Sequence, residues 1–213
     1  DVYKRQTVFR NAGLEPYFRL ADDDGIDLYR FGLQGGVQAA QGFEVGGALD
    51  LRHLSFDGPF DDQTGLSDLR GYARYLLPTR QRAQFSLGAW VDLPVGSEDV
   101  GEGNFDVDLF GAMRLPTRSG LVVLANAGIE TVERFDDRDT GVHLGGGVLY
   151  PLSPDISVLG ELMWRSASEY GALSAGLDAS LGRSGHLRAG LAFGFDDGAP
   201  DLELILGFLI PIY

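Results

Sequence analysis

The sequence predicts an all-β chain, a transmembrane up-and-down antiparallel β-barrel of about 12 strands. Three observations lead there. Apolar and polar residues alternate over successive stretches of roughly 7 to 13 residues, the period of a strand whose two faces meet different surroundings. The connections alternate between short turns and longer acidic loops, as in a barrel built of consecutive hairpins. Glycine supplies 31 of 213 residues, an excess that suits a bent wall or a crowded lumen.

The clearest strand pair spans Ala83 to Leu115. Its first arm places Phe85, Leu87, Ala89, Val91 and Leu93 on one face and Gln84, Ser86, Gly88, Trp90 and Asp92 on the other. The second sets Phe105, Val107, Leu109, Gly111 and Met113 against Asn104, Asp106, Asp108, Phe110, Ala112 and Arg114. Each arm is long enough for a tilted strand to cross a bilayer.

The remaining elements repeat this plan. Leu14–Leu20 carries Glu15, Tyr17 and Arg19 inward, and Asp27–Gln38 carries Arg30, Gln34 and Gln38. Phe43–Arg52 turns Glu44, Asp50 and Arg52 inward, and Leu66–Leu77 does so with Asp68, Arg70, Tyr72 and Arg74. Beyond the central pair come Leu121–Thr131, Gly141–Tyr150, Ile156–Arg165, Gly171–Gly182, Leu187–Phe195 and Leu202–Tyr213. Short turns fall at Ala39–Gln41, Pro78–Arg82, Pro116–Gly120, Pro151–Asp155 and Arg183–His186. Longer, acid-bearing loops are expected at Asp22–Gly25, Phe56–Gly65, Pro94–Gly103, Glu133–Asp139, Ser166–Tyr170 and Asp196–Asp201. Both termini then lie at the short-turn end, which requires an even number of strands.

Two features favour lipid over a soluble sandwich. No charge falls at the centre of any strand on the apolar parity, where it would cost about 2–4 kcal/mol at the bilayer midplane. Aromatics collect at strand ends on that parity, with Phe43, Tyr75, Phe85 and Tyr150 at one end and Phe18, Tyr29, Phe105, Trp164 and Phe195 at the other. The expected location is the bacterial outer membrane, with its lipid and lipopolysaccharide as surroundings.

Composition narrows the partners. A formal charge of −14 argues against nucleic acid, which demands a basic surface. The absence of cysteine removes disulfides and thiolate chemistry. No run of about 18 apolar residues exists to form a membrane-spanning helix. Residues 1–13 precede the pattern and read as a separate segment, foreign or disordered, ahead of a single barrel over residues 14–213. The chain opens at Asp1 without a signal peptide, which points to a mature form or a fragment.

Three stretches carry a family resemblance: TGLSDLRGYARYLL, LPVGSEDVGEGNFDVDL and LAFGFDDGAPDLELILGF. Together they resemble the outer-membrane family named for the MetA pathway of phenol degradation. That family is marked by a Gly-x-x-Asp lead-in to a strand, a Pro-Thr-Gly-type loop with Gly-x-Gly, and a last hairpin over Gly-x-Pro-Asp. Here Pro94-Val95-Gly96 departs from Pro-Thr-Gly, and Ser67 stands where the lead-in usually has glycine. The resemblance covers about Leu66 to Tyr213. It implies an outer-membrane barrel that passes hydrophobic or aromatic compounds.

The inward parity is charged with both signs, and Arg70, Arg74, Asp92, Asp106, Asp108, Arg114, Glu161, Arg165 and Arg188 are the candidate lumen-lining residues. They fit two pictures equally: a polar conduit whose charges set selectivity, or a salt-bridged interior that holds the wall together. The conduit reading makes the chain a passive channel or transporter for a small solute, with no cofactor and no metal. The rival is a structural or adhesive barrel whose acidic loops meet lipopolysaccharide or a partner. Asp22–Gly25 and Asp136–Asp139 offer hard oxygen ligands, but neither has the spacing of a calcium loop. A barrel lipid enzyme would need a histidine beside a nucleophile. His53 falls on the outward parity, His186 in a short turn, and His143 alone inward, with no serine assigned to it, so no catalytic residue is expected.

Overall fold

Alternating side chains give every strand a lipid-side and a lumen-side face, and pairing between like faces curls the sheet until its edges meet. The computed structural model describes residues 12–23, 25–59, 61–97, 100–101, 103–134 and 137–212. Its strands are β1 (Gly13–Asp23), β2 (Ile26–Ala40), β3 (Phe43–Phe56), β4 (Gln63–Leu66), β5 (Leu69–Leu77), β6 (Gln84–Leu93) and β7 (Asp106–Pro116). They continue as β8 (Val122–Arg134), β9 (Asp137–Pro151), β10 (Ile156–Arg165), β11 (Tyr170–Ser180), β12 (His186–Gly194) and β13 (Leu202–Pro211). Each pairs antiparallel with the next along the chain, save that β4 does not pair with β5 and both pair with β3. β13 returns to β1, from Gly13↔Pro211 to Asp22↔Leu202. The result is a closed antiparallel barrel of 12 wall strands.

The fourth wall strand is β4 and β5 in series. β4 pairs with Leu51–Leu54 of β3 and β5 with Phe43–Ala48. At the break, Ser67 donates its N–H to the Asp50 carbonyl while its Oγ accepts the Asp50 N–H. The wall therefore stays hydrogen-bonded through the interruption.

The outer face is an apolar belt. Leu33, Leu49, Leu87, Leu109, Ile129, Leu144, Leu162, Leu173 and Leu191 are all exposed. Phe43, Tyr75, Phe85 and Tyr150 are exposed toward the short-turn end, and Phe105, Trp164 and Phe195 toward the other. No described helix is long and apolar enough to cross a membrane.

Three boundaries differ from the sequence expectation. Glu133–Asp139 is a hairpin, not a long loop, since β8 and β9 stay paired through Glu133↔Arg138 to Arg134↔Asp137. Charged residues hold this ladder beyond the apolar belt, with Arg138 Nη2 3.0 Å from Glu133 Oε2. Asp22 and Asp23 likewise belong to β1, and Gly25 at φ 82° completes a tight turn before β2. β4 occupies part of the expected Phe56–Gly65 loop. Asp24, Asp136 and residues 1–11 lie outside the described residues, while Gly13 already starts β1.

Candidate functional site

At the end where β6 meets β7, the interior opens into a cavity of about 690 Å³. Its wall carries Arg19, Arg30, Arg70 and Arg165 beside Asp92, Asp106, Asp108, Glu130, Glu133 and Glu203, with Trp90 and Met163 as apolar surface. Below it lies a pocket of only about 60 Å³, and beside it, sharing Arg19, Arg30, Arg70 and Asp92, one of about 40 Å³. The vestibule is thus wide and mixed in charge, and the waist is narrow.

Large side chains fill that waist. Tyr72, Trp90, Phe110 and Ala112 form a buried cluster contributed by β5, β6 and β7, with the Tyr72 and Trp90 rings 4.6 Å apart. Val122, Leu124 and Leu159 form a second cluster on β8 and β10. Facing glycines make the room: a Cβ on Gly36 or Gly46 would run into the Tyr72 ring, and one on Gly88 into Phe110. This close approach explains much of the glycine on the inward parity.

Most of the inward charges are engaged with partners in the barrel wall. Arg70 grips Asp92 with two hydrogen bonds, Nε to Oδ1 at 2.5 Å and Nη2 to Oδ2 at 2.7 Å. Arg74 Nη2 donates to Glu44 at 2.8 Å, and Tyr72 donates its hydroxyl to the same carboxylate. Arg188 spans Asp178 at 2.9 Å and Glu15 at 3.1 Å. Asp50 accepts from Tyr17 at 2.8 Å and from Arg52 at 3.1 Å. Asp106 accepts the Glu133 N–H at 2.9 Å.

Arg70, Asp92, Asp106, Asp108 and Arg165 therefore border the vestibule, and Glu161 and Arg188 the deeper 60 Å³ pocket. Arg74 is buried on Glu44 and borders none of these spaces, while Arg114 is half-buried near Gln84 toward the short-turn end. One position needs correction. His186 starts β12 and faces inward, because Ser180↔His186 continues the inward register of Asp178↔Arg188; its Nδ1 lies 2.8 Å from Asp178 Oδ1.

The densest cluster joins β7, β8, β9 and β10. Asp108, Glu130 and His143 bring one potential ligand atom each to within 4.8 Å of one another, all buried. The Arg165 guanidinium lies on both carboxylates, 3.2 Å from Asp108 Oδ2 and in closer contact with Glu130. The protein thus supplies a cation to these acids itself. His143 is 1% exposed, with Nδ1 3.5 Å from Asp108 Oδ1, and does not border the vestibule. Sequence reasoning passed over the set because its members come from four strands and meet only through cross-strand register.

The resemblance motifs meet each other in space. The Asp68 carboxylate accepts the Gly96 N–H at 2.8 Å and the Gly103 N–H at 3.0 Å. Ser97 donates its N–H to the Leu66 carbonyl at 2.9 Å, and its Oγ accepts the Leu66 N–H at 2.9 Å. Val100 is buried, its carbonyl accepts from Arg52, and a Cβ on Gly65 would strike Ser97 and Val100. The Gly65–Asp68 lead-in is therefore the dock for the Pro94–Gly103 loop. That loop is held against the barrel mouth.

No protein-family model and no curated protein matches the sequence. Solved structures do. The COG4313 outer membrane channel from Pseudomonas putida F1 aligns over 100% of this chain and 99% of its own, at 14% identity and a TM-score of 0.77. The KdgM porin, solved with disordered oligogalacturonate, aligns over 93% and 99% at 12% identity and 0.69. The NanC porin aligns over 94% and 100% at 9% identity and 0.62. Closed barrel, apolar belt and these likenesses agree: the chain has the fold of an outer-membrane β-barrel.

Proposed function

We propose that the barrel is a passive outer-membrane channel of narrow bore for small solutes. The observation that carries this reading is the charged vestibule of about 690 Å³, which narrows deeper in the same lumen to a pocket of about 60 Å³. A wide mouth lined by both signs of charge collects solutes, and the narrow waist sorts them by size and polarity. Hydrophobic or aromatic compounds are the class that the MetA-pathway resemblance implies, and Trp90 and Met163 border the vestibule, each only 3% exposed. The nine candidate lumen residues act in this reading as wall and selectivity groups, and none acts as a catalyst.

A specific observation favours a second reading. Most inward charges are paired within the protein, as a purely structural interior would require. Planar-bilayer recording separates the two. Small ohmic openings in the purified barrel are the expected result; silence at every voltage would leave the structural barrel.

A further inference from the structure

Seven carboxylates are buried among the described residues: Glu15, Glu44, Asp50, Asp108, Glu130, Glu161 and Asp178. Six have a cationic or hydrogen-bonding partner in the barrel wall. Glu161 differs. It lies on β10 at 3% exposure, and neither of its carboxylate oxygens accepts a hydrogen bond from a described residue.

The surroundings of Glu161 are shaped for a guest. Its cross-strand neighbours are Gly147 and Ser174, so one flank has no side chain and the other offers a hydroxyl. It borders the pocket of about 60 Å³, whose nearby wall is small: Ala172, Gly176, Gly190 and Ala192. That volume is room for a few water molecules or a group of similar size. The arginines bordering the pocket are engaged elsewhere, Arg19 with Glu203 and Arg188 with Glu15 and Asp178. An ionised carboxylate in such a place is costly until a cation or donor joins it.

We propose that Glu161, with Ser174 opposite, forms a site in the lumen for a small monovalent cation or a primary ammonium group. A divalent ion fits poorly, since calcium takes about 6–8 oxygen ligands and magnesium a near-ideal octahedron, whereas next to its one unengaged carboxylate this pocket offers the Ser174 hydroxyl, the Tyr17 hydroxyl being held by Asp50 and that of Tyr170 also in the wall. An ammonium group matches both, donating to the carboxylate and to Ser174 Oγ. The assignment adds to the channel reading a cationic solute class, distinct from the hydrophobic or aromatic one that the resemblance implies, and it rests on that reading only for its effect on transport.

The test uses the full chain folded in detergent, with methylammonium chloride as probe and tetramethylammonium chloride as the control too bulky for the pocket. Methylammonium should raise the unfolding temperature of the wild type in a saturable way, with about tenfold weaker apparent affinity in Glu161→Gln. Ser174→Ala, which leaves every charge in place, should weaken binding to an intermediate extent. Equal stabilisation by both salts, or of wild type and Glu161→Gln alike, overturns the proposal. The N-terminal stretch, with its α-amino group and the side chains of Lys4, Arg5 and Arg10, is another source of a cation. A chain acetylated at its N-terminus and with those three changed to glutamine should respond as the wild type does; a response confined to that chain overturns the solute assignment. In bilayers under a potassium chloride gradient, the reversal potential should favour the cation in wild type and move toward zero in Glu161→Gln. Saturable binding without conductance would remove the channel reading and keep the site.

Discussion

At the scale of single residues, the lumen works by complementarity between what is absent on one strand and large on the next. Gly46 has no room for a Cβ because Tyr72 and the Gly35 carbonyl already occupy the space, whereas Gly71, on the lipid side, has nothing within 4 Å. Gly46→Ala should therefore destabilise the barrel by about 1–3 kcal/mol through overpacking, and Gly71→Ala should be neutral, both read from urea unfolding in lipid vesicles. Buried charge makes a second expectation. Arg74→Gln leaves the Glu44 carboxylate buried at 8% exposure and should cost about 3–5 kcal/mol. Adding Glu44→Gln should recover a substantial part of it. Which residues face inward was legible from alternation alone, including Trp90 and Phe110. Which inward residues touch was not, because Asp108, Glu130, His143 and Arg165 become neighbours only through the register of four strands.

At the scale of elements, the informative unit is the β6–β7 loop with its dock. Its anchors are Asp68 on Gly96 and Gly103, and Ser97 on Leu66. Asp68→Ala removes two acceptors at once and should loosen the loop without disturbing the ladder below it. The expected outcome is faster protease cleavage within residues 94–103 on vesicles displaying that end, with a larger unit conductance. Unchanged cleavage would mean that the Ser97 contacts suffice. The sequence exposed both halves of this arrangement as motifs, and the structure shows why they occur together. Loop lengths were less legible. The β8–β9 ladder continues through Glu133–Asp139, where alternation of apolar residues has ended and the described side chains form the Arg138–Glu133 ion pair, so periodicity gave no sign of a strand.

At the scale of the molecule, the apolar exterior defines a thickness. Leu109 on β7 lies beside the middles of β6 and β8, paired with Ala89 and Ile129 and 57% exposed, whereas Leu93 ends β6 near the vestibule. Leu109→Arg should cost about 2–4 kcal/mol and Leu93→Arg about 0–1, a contrast measurable by reversible unfolding in bilayers. A soluble protein of this shape would show no such depth dependence. The overall class was readable because one division, lipid side against lumen side, governs every strand. The closing seam is a different matter. β1 joins β13 across nearly the whole sequence, and Arg19–Glu203 and Arg188–Glu15 bridge separations of 184 and 173 residues. Local hairpins form without that contact, but the tube cannot. Closure is thus the most expensive step in chain entropy, and its order in time is late. Until then β1 and β13 are open edges able to pair with any other strand in reach, so the final ten residues of sheet decide between a sealed cylinder and an aggregate.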